Sequence, residues 1–224
     1  YEVIKEINGS DVYFHKGFLA AASYILSLIS EFMQRDYSEI YFVGHSYAAA
    51  VSNVLCMLSK AHEKFKDKKI FSFAFAPPPS VSKIPGCIQE CMFSFINKYD
   101  IVPHLSLRNI QNTINLQKNP VDIYLNKAKF ILRSFNSDYS NTFADLIEQY
   151  EDELSKSLNS AKNDLHVHKN IGNLFYIGLT ESRKLKNCQI DETDLTNIVF
   201  FSPSMLKHHK VTEYIDSLAK INTY

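Results

Sequence analysis

The chain has 224 residues, 46% apolar and 21% charged, the proportions of a globular protein whose length buries roughly 70% of its unfolded surface. Lys plus Arg and Asp plus Glu number 24 each, with no basic stretch interleaved with aromatics. That balance excludes nucleic acid as a partner, because phosphate binding needs clustered positive charge. Cys56, Cys87, Cys91 and Cys188 lack metal-site spacing and are too few for a disulfide scaffold, so they read as free thiols in a reducing compartment.

Residues 16–34 place Phe18, Ala21, Ala22, Ile25, Leu28, Ile29 and Phe32 at helical spacing. The apolar run within this stretch, residues 17–29, falls short of the ~20 residues of a spanning helix and contains Ser23 and Ser27. It reads as a core helix. Ile40–Val43 is a short apolar strand, followed by a helix from Ser46 to about Lys66. Lys69–Ala76 is the next strand, closed by Pro77-Pro78-Pro79, which cannot continue a ladder. Met92–Ile96 is a third, ending in Asn97-Lys98-Tyr99-Asp100. Strands alternating with helices predict a parallel sheet with crossover helices.

The pattern changes over 111–170, which is polar and carries helical stretches near 121–135 and 141–162. In the second, Phe143, Leu146, Ile147, Tyr150, Leu154 and Leu158 form one stripe behind Asn141 as N-cap. The acidic run Glu148–Glu153 reads as a solvated face, with calcium binding as an alternative. Strands near 173–179 and 197–202 follow, then a final helix carrying Val211, Tyr214, Ile215 and Leu218. There is no signal peptide or other targeting segment. Because residue 1 is Tyr, the sequence reads as an excerpt of a longer protein, cytoplasmic or membrane-associated.

Chemistry concentrates at three strand exits. Phe42-Val43-Gly44-His45-Ser46-Tyr47-Ala48 runs from strand to helix through a turn that holds one serine hydroxyl out over the sheet edge. Gly44 supplies the small residue before the serine, and Ala48 stands where a second glycine is usual, adding a methyl where helix and strand pack closely. A serine needs a histidine to take its proton, and the histidine needs a carboxylate to orient it. Asp100 follows the strand at 92–96, and His209 follows the strand at 197–202. Ser46, Asp100 and His209 therefore have the types, order and settings of a hydrolase triad.

These pieces resemble the class 3 lipases, and within them the diacylglycerol lipase branch. The resemblance rests on His15-Lys16-Gly17-Phe18, Val43-Gly44-His45-Ser46, Phe73-Ala74-Phe75-Ala76-Pro77-Pro78, Asp100-Ile101-Val102-Pro103-His104-Leu105-Ser106, and Pro203-Ser204-Met205-Leu206 with His209. It implies an α/β-hydrolase fold, one domain over 1–224 lacking its first strands, with a helical insertion at about 111–170. Carried over by position, Ser46 is the nucleophile, Asp100 the acid and His209 the base. His209 is preferred to His208, which occupies the family's aspartate position and so removes a charge beside the base. His15, His45 and His104 match flanking positions, and His166 and His168 have no assigned role.

One oxyanion donor is the backbone N–H of Tyr47. The family's second donor lies in an Arg-Gly-Thr-like segment that residues 1–14 do not contain. The implied activity is hydrolysis of acylglycerol esters, with no cofactor and no metal. The implied partners are an apolar ester and transient contact with a membrane or lipid-droplet surface. In that branch the stretch corresponding to 111–170 resembles a regulatory loop, here a helical cap including Phe130, Ile131, Leu132 and Phe135, or else a structural hairpin. Two rivals use the same residues: another carboxylesterase or thioesterase, and a non-catalytic lipase-like protein that binds lipid or a partner.

Overall fold

The computed structural model describes residues 2–65, 67–117, 121–134, 138–160, 170–177, 186–187 and 203–220. Strands β1 (Glu2–Ile7) and β2 (Ser10–His15) open the chain as an antiparallel hairpin. Its two-residue turn is Asn8-Gly9, with φ of 47° and 74°. Positive φ at both central residues suits the right-handed twist of the strands, and Asn-Gly tolerates it best. The sequence reading had assigned no element here. Val12 and Phe14 turn inward from β2, and the hairpin is tied down by the Tyr13 N–H to Ser82 Oγ (3.1 Å) and the His15 N–H to the Ser80 carbonyl (2.9 Å).

Helix α1 (Lys16–Met33) follows, then β3 (Glu39–His45), α2 (Tyr47–Ala61), β4 (Lys69–Phe75), the short α3 (Gly86–Gln89) and β5 (Met92–Asn97). β6 (Asn173–Ile177) and β7 (Lys186–Asn187) complete a sheet in the order β3-β4-β5-β6-β7. The first four strands are parallel and β7 is antiparallel to β6. This is the mixed α/β architecture expected, a mainly parallel sheet flanked by helices. α2 ends five residues before the expected Lys66, and Phe65 folds back into the core instead. The expected strand at 197–202 lies outside the described residues.

The main core lies between α1, α2, the hairpin and one face of the sheet, and α2 is buried over Ala49–Ser59. A buried polar relay crosses it. Ser72 Oγ donates to Asn53 Oδ1 (2.7 Å), Asn53 Nδ2 to Ser94 Oγ (3.2 Å), and Ser94 Oγ to the Ile171 carbonyl (2.7 Å), linking α2, β4, β5 and the approach to β6. Cys56 lies beside this relay, its thiol 3.9 Å from the Ile70 carbonyl and pushed up to about 12 by burial. By length and composition α1 could cross a membrane. Here Phe18, Leu19, Ala22 and Met33 are buried while Leu28 and Phe32, expected in the core, are exposed together with Tyr24.

The opposite sheet face carries an aromatic ladder. Phe73 stacks on Phe93 (5.1 Å), Phe75 on Phe95 (4.8 Å) and Phe95 on Phe175 (5.2 Å), each across neighbouring strands. α9 (Val211–Ala219) covers one end of it, placing Tyr214 and Leu218 against Phe75 and Phe95.

Between β5 and β6 stand α4 (Leu107–Gln117), α5 (Val121–Ser134), α6 (Asp138–Gln149) and α7 (Glu151–Ser160). The helical segment thus begins at Leu107, earlier than expected, and the single helix expected over 141–162 is two, parted at Tyr150. Ile114, Val121, Leu125 and Leu158 form its own small core, with Ile110, Ile147 and Leu154 against it. Leu146 and Tyr150, expected on the buried stripe, are exposed. Glu148 pairs with Arg133 and Glu151 with Lys129, as a solvated acidic face should.

Candidate active site

The site sits at the carboxyl edge of the parallel sheet, where ligands bind in open α/β sheets. Three successive strands leave that edge through a residue of positive φ: Ser46 (59°) after β3, Ala76 (55°) after β4 and Lys98 (49°) after β5. None is glycine, and non-glycine residues in this region are held there by surrounding structure. For Ser46 the holding is visible. Its N–H donates to the Phe75 carbonyl (2.9 Å), and its own carbonyl accepts from the Ala49 N–H (2.9 Å) as α2 begins. A Cβ on Gly44 would lie 2.2 Å from the Ala48 carbonyl oxygen, so no side chain fits there. Ala48 itself is exposed, so its methyl does not crowd the elbow as the sequence reading expected.

The turn projects the half-buried Ser46 hydroxyl toward His209. Ser46 Oγ lies 2.9 Å from His209 Nε2, and His209 Nδ1 lies 3.0 and 3.1 Å from the two oxygens of Asp100. Asp100 is wholly buried and His209 is 4% exposed. The structure therefore brings together the three residues singled out from sequence. A buried carboxylate is costly unless hydrogen-bonded. Here Oδ1 also accepts from the Val102 N–H (3.0 Å), and Oδ2 accepts from the Tyr214 hydroxyl (2.7 Å).

The chain around His209 is held from both sides. His45 Nε2 donates to the His209 carbonyl (2.8 Å), and Asn97 Nδ2 donates to the His208 carbonyl (3.3 Å). With Nε2 so engaged, His45 is a brace, consistent with a flanking position. Its pKa is lowered by burial first and by the charge of His209 second. Burial also lowers His15 and His208, the latter with help from Lys98. His15 precedes α1 with its ring beside Phe18, and His104 sits in the turn Val102–His104 with its carbonyl accepting from Asn109 Nδ2. His166 and His168 lie outside the described residues. Tyr47 is the first residue of α2, where a backbone N–H has no partner within the helix. Among the described residues no three His, Cys, Asp or Glu side chains converge as metal ligands.

Sequence reasoning missed Tyr214 and Asn97. Tyr214 stood in the apolar stripe of the last helix, where it counted as core. The signal was its hydroxyl, since a buried tyrosine usually needs a hydrogen-bond partner.

Residues 2–110 match the family of class 3 lipases. The match supports membership in that family. It spans the His15–Phe18, Gly44–Ser46 and Asp100–Ser106 pieces of the class 3 lipase pattern and stops before His209, whose position rests on the geometry above. No curated protein sequence matches the chain. Among solved structures, a mutant form of the MDLA protein of Penicillium cyclopium is 20% identical, with 46% of this chain and 40% of that one covered and a TM-score of 0.34. A triacylglycerol lipase whose catalytic centre is a serine-protease triad is 20% identical, covering 46% and 43% at a TM-score of 0.36. Lipase II of Rhizopus niveus is 18% identical, covering 46% and 43% at a TM-score of 0.37. The chain spans less than half the length of each, and likenesses this distant carry no argument about the site.

Proposed function

We propose that this protein is a serine hydrolase of acylglycerol ester bonds, working through an acyl–Ser46 intermediate. The observation that carries the proposal is the continuous hydrogen-bonded series Ser46–His209–Asp100 at the sheet edge, in a chain whose first half matches the class 3 lipases. Ser46 Oγ attacks the ester carbonyl carbon as its proton passes to His209 Nε2. Asp100 keeps the Nδ1 proton in place and stabilises the imidazolium. The carbonyl oxygen, now negative, faces the Tyr47 N–H at the start of α2. Collapse breaks the ester C–O bond, and the departing alkoxide takes the proton from Nε2. A water then gives a proton to Nε2 and attacks the acyl carbon, the fatty acid leaves, and Ser46 recovers its hydrogen.

The resemblance assigns the second oxyanion donor to an Arg-Gly-Thr-like segment, which residues 1–14 do not contain. Extending the chain upstream to include an Arg-Gly-Thr-like segment should raise ester hydrolysis by about 10²–10³, the usual effect of one donor. Equal rates with and without the extension would overturn that expectation. For α4–α7 we propose a helical cap over an apolar acyl groove, opening at a lipid surface. Deleting 121–165 should then raise activity on soluble esters, whereas loss of folding would make the helices structural. Tyr24, Leu28 and Phe32, exposed along one side of α1, suit transient contact with such a surface.

Another ester or thioester substrate would use the same three residues, since fold does not choose the acyl carrier. A non-catalytic lipid- or partner-binding role is favoured by one specific feature, His208 in place of the family's aspartate. Fluorophosphonate labelling of the full-length protein beside its Ser46→Ala variant decides between them. Label lost in the variant supports the hydrolase. A folded wild type that takes no label leaves the binding role in front.

A further inference from the structure

We propose that Tyr214 is a positioning residue for the Asp100–His209 pair, with its hydroxyl tying the acid to the same helix corner that carries the base. The assignment rests on the triad reading above and deepens it.

A phenylalanine would fill the space that Tyr214 occupies. The ring is 1% exposed and meets Phe75 and His45 edge-on, at 6.1 and 5.7 Å between centroids. A hydroxyl brought into such a place costs free energy unless both of its roles are used. Here they are. The oxygen accepts from the Asn97 N–H at the end of β5 (3.0 Å), and the proton goes to Asp100 Oδ2 (2.7 Å). Burial, then the Asp100 charge and hydrogen bond, raise its pKa well above the usual phenol value, which favours the protonated, donating form.

The geometry gives this bond a job beyond filling space. Without it, Oδ1 keeps the Val102 N–H while Oδ2 keeps only the 3.1 Å approach of His209 Nδ1. The carboxylate is then held through Oδ1, by Val102 and His209, and the position of Oδ2 against the imidazole is less firmly fixed. Tyr214 lies five residues after His209, one helical turn into α9. Acid and base reach the site from different parts of the chain, Asp100 from the β5 exit and His209 from the α8 (Pro203–His208) to α9 corner. Tyr214 makes a single rigid helix the spacer between them. Precise orientation of a base is worth orders of magnitude in rate, so a small loosening is measurable.

The test uses the full-length protein and measures fluorophosphonate labelling rate and the kcat and KM of ester hydrolysis. Tyr214→Phe should lower both kcat and the labelling rate about 10- to 100-fold with KM unchanged, the size expected for losing one hydrogen bond to a charge. In an Asp100→Asn background the same substitution should have no further effect, because Tyr214 acts through Asp100. Leu218→Ala loosens the same helix against the sheet without touching the site. It should lower Tm while leaving kcat at the wild-type value. If Tyr214→Phe does not fold, a fluorotyrosine placed at 214 keeps the shape and alters the donor, and the labelling rate should change with it.

Wild-type rates in Tyr214→Phe, or equal losses in Tyr214→Phe and Leu218→Ala, would overturn the assignment and leave the triad standing. A wild type that takes no label, as Ser46→Ala should not, would bring down the triad reading and this assignment together.

Discussion

The carboxyl edge of the sheet and the helical unit α4–α7 are built on opposite terms. At the edge, Asp100, His209 and Tyr214 are almost wholly buried, and their polar groups find partners far apart in sequence: β5 with α9, β3 with the α8–α9 corner. In the helical unit, Ile114, Val121, Leu125 and Leu158 cluster among the described residues, and the ion pairs of Arg133 with Asp145 and Glu148 lie on more exposed side chains. The first arrangement fixes positions through hydrogen bonds between distant segments, and a missing partner there is costly. The second requires only that apolar faces meet, so single losses there should be graded and local.

That contrast can be broken by substitution, and the sharpest test is Gly44→Ala. The added carbon would sit 2.2 Å from the Ala48 carbonyl, which belongs to backbone and cannot swing away. We expect no folded, labelled protein, measured by circular dichroism and fluorophosphonate uptake. Next comes Leu158→Ala, at 2% exposure in the small helical core. It should cost about 2–5 kcal/mol within that unit and leave the labelling rate at Ser46 unchanged. A fall in labelling would mean that the two regions are coupled.

Asn53→Ala cuts the buried relay at its middle and leaves Ser72 short of an acceptor. The expected loss is about 1–3 kcal/mol, read as a drop in Tm of roughly 2–4 °C per kcal/mol. Acid titration should be gentler. His15, His45 and His208 are all held below the ordinary value of 6.5, chiefly by burial. Below that pH the unfolded chain takes up protons that the folded one refuses, so stability is full above 6.5 and declines as pH falls. His45→Asn should flatten the decline in Tm between pH 7 and 5. Arg133→Ala should change stability by less than about 1 kcal/mol, since its ion pairs are exposed.

How far the fold was legible follows the same division. β3, β4 and β5 announced themselves as apolar runs ended by turn residues or prolines, and their alternation with helices gave the parallel order. Ser46 and Asp100 could be found because each stands at a strand exit, where side chains of distant segments converge, whereas His209 stands at the corner between two helices. Asn8-Gly9 carries an equally plain hairpin signal, and its turn has positive φ at both residues. α4 was hidden for a physical reason. With Ile110 and Ile114 against the small core in a polar stretch, its start is set by Ser106 Oγ accepting from the Asn109 N–H (3.1 Å), a local cap with little periodicity around it.

Periodicity also named a face without naming what covers it. Leu28 and Phe32 belong to the stripe on α1 yet point outward, because the side of the helix that meets the core runs through Phe18, Ala22, Ile25, Ile29 and Met33. The hydroxyl of Tyr214 was illegible for a related reason. Its partner, Asp100, is 114 residues away, and only the assembled sheet edge places them together.

The chain has no tryptophan to report on its interior by fluorescence, yet Cys56 offers another window. Cys56 is buried between α2 and β4, whereas Cys87 stands exposed on α3. A thiol reagent added to the native protein should consume Cys87 at once and Cys56 only as fast as helix and strand part. The lag between the two is a clock for opening of the scaffold behind Ser46, readable by mass.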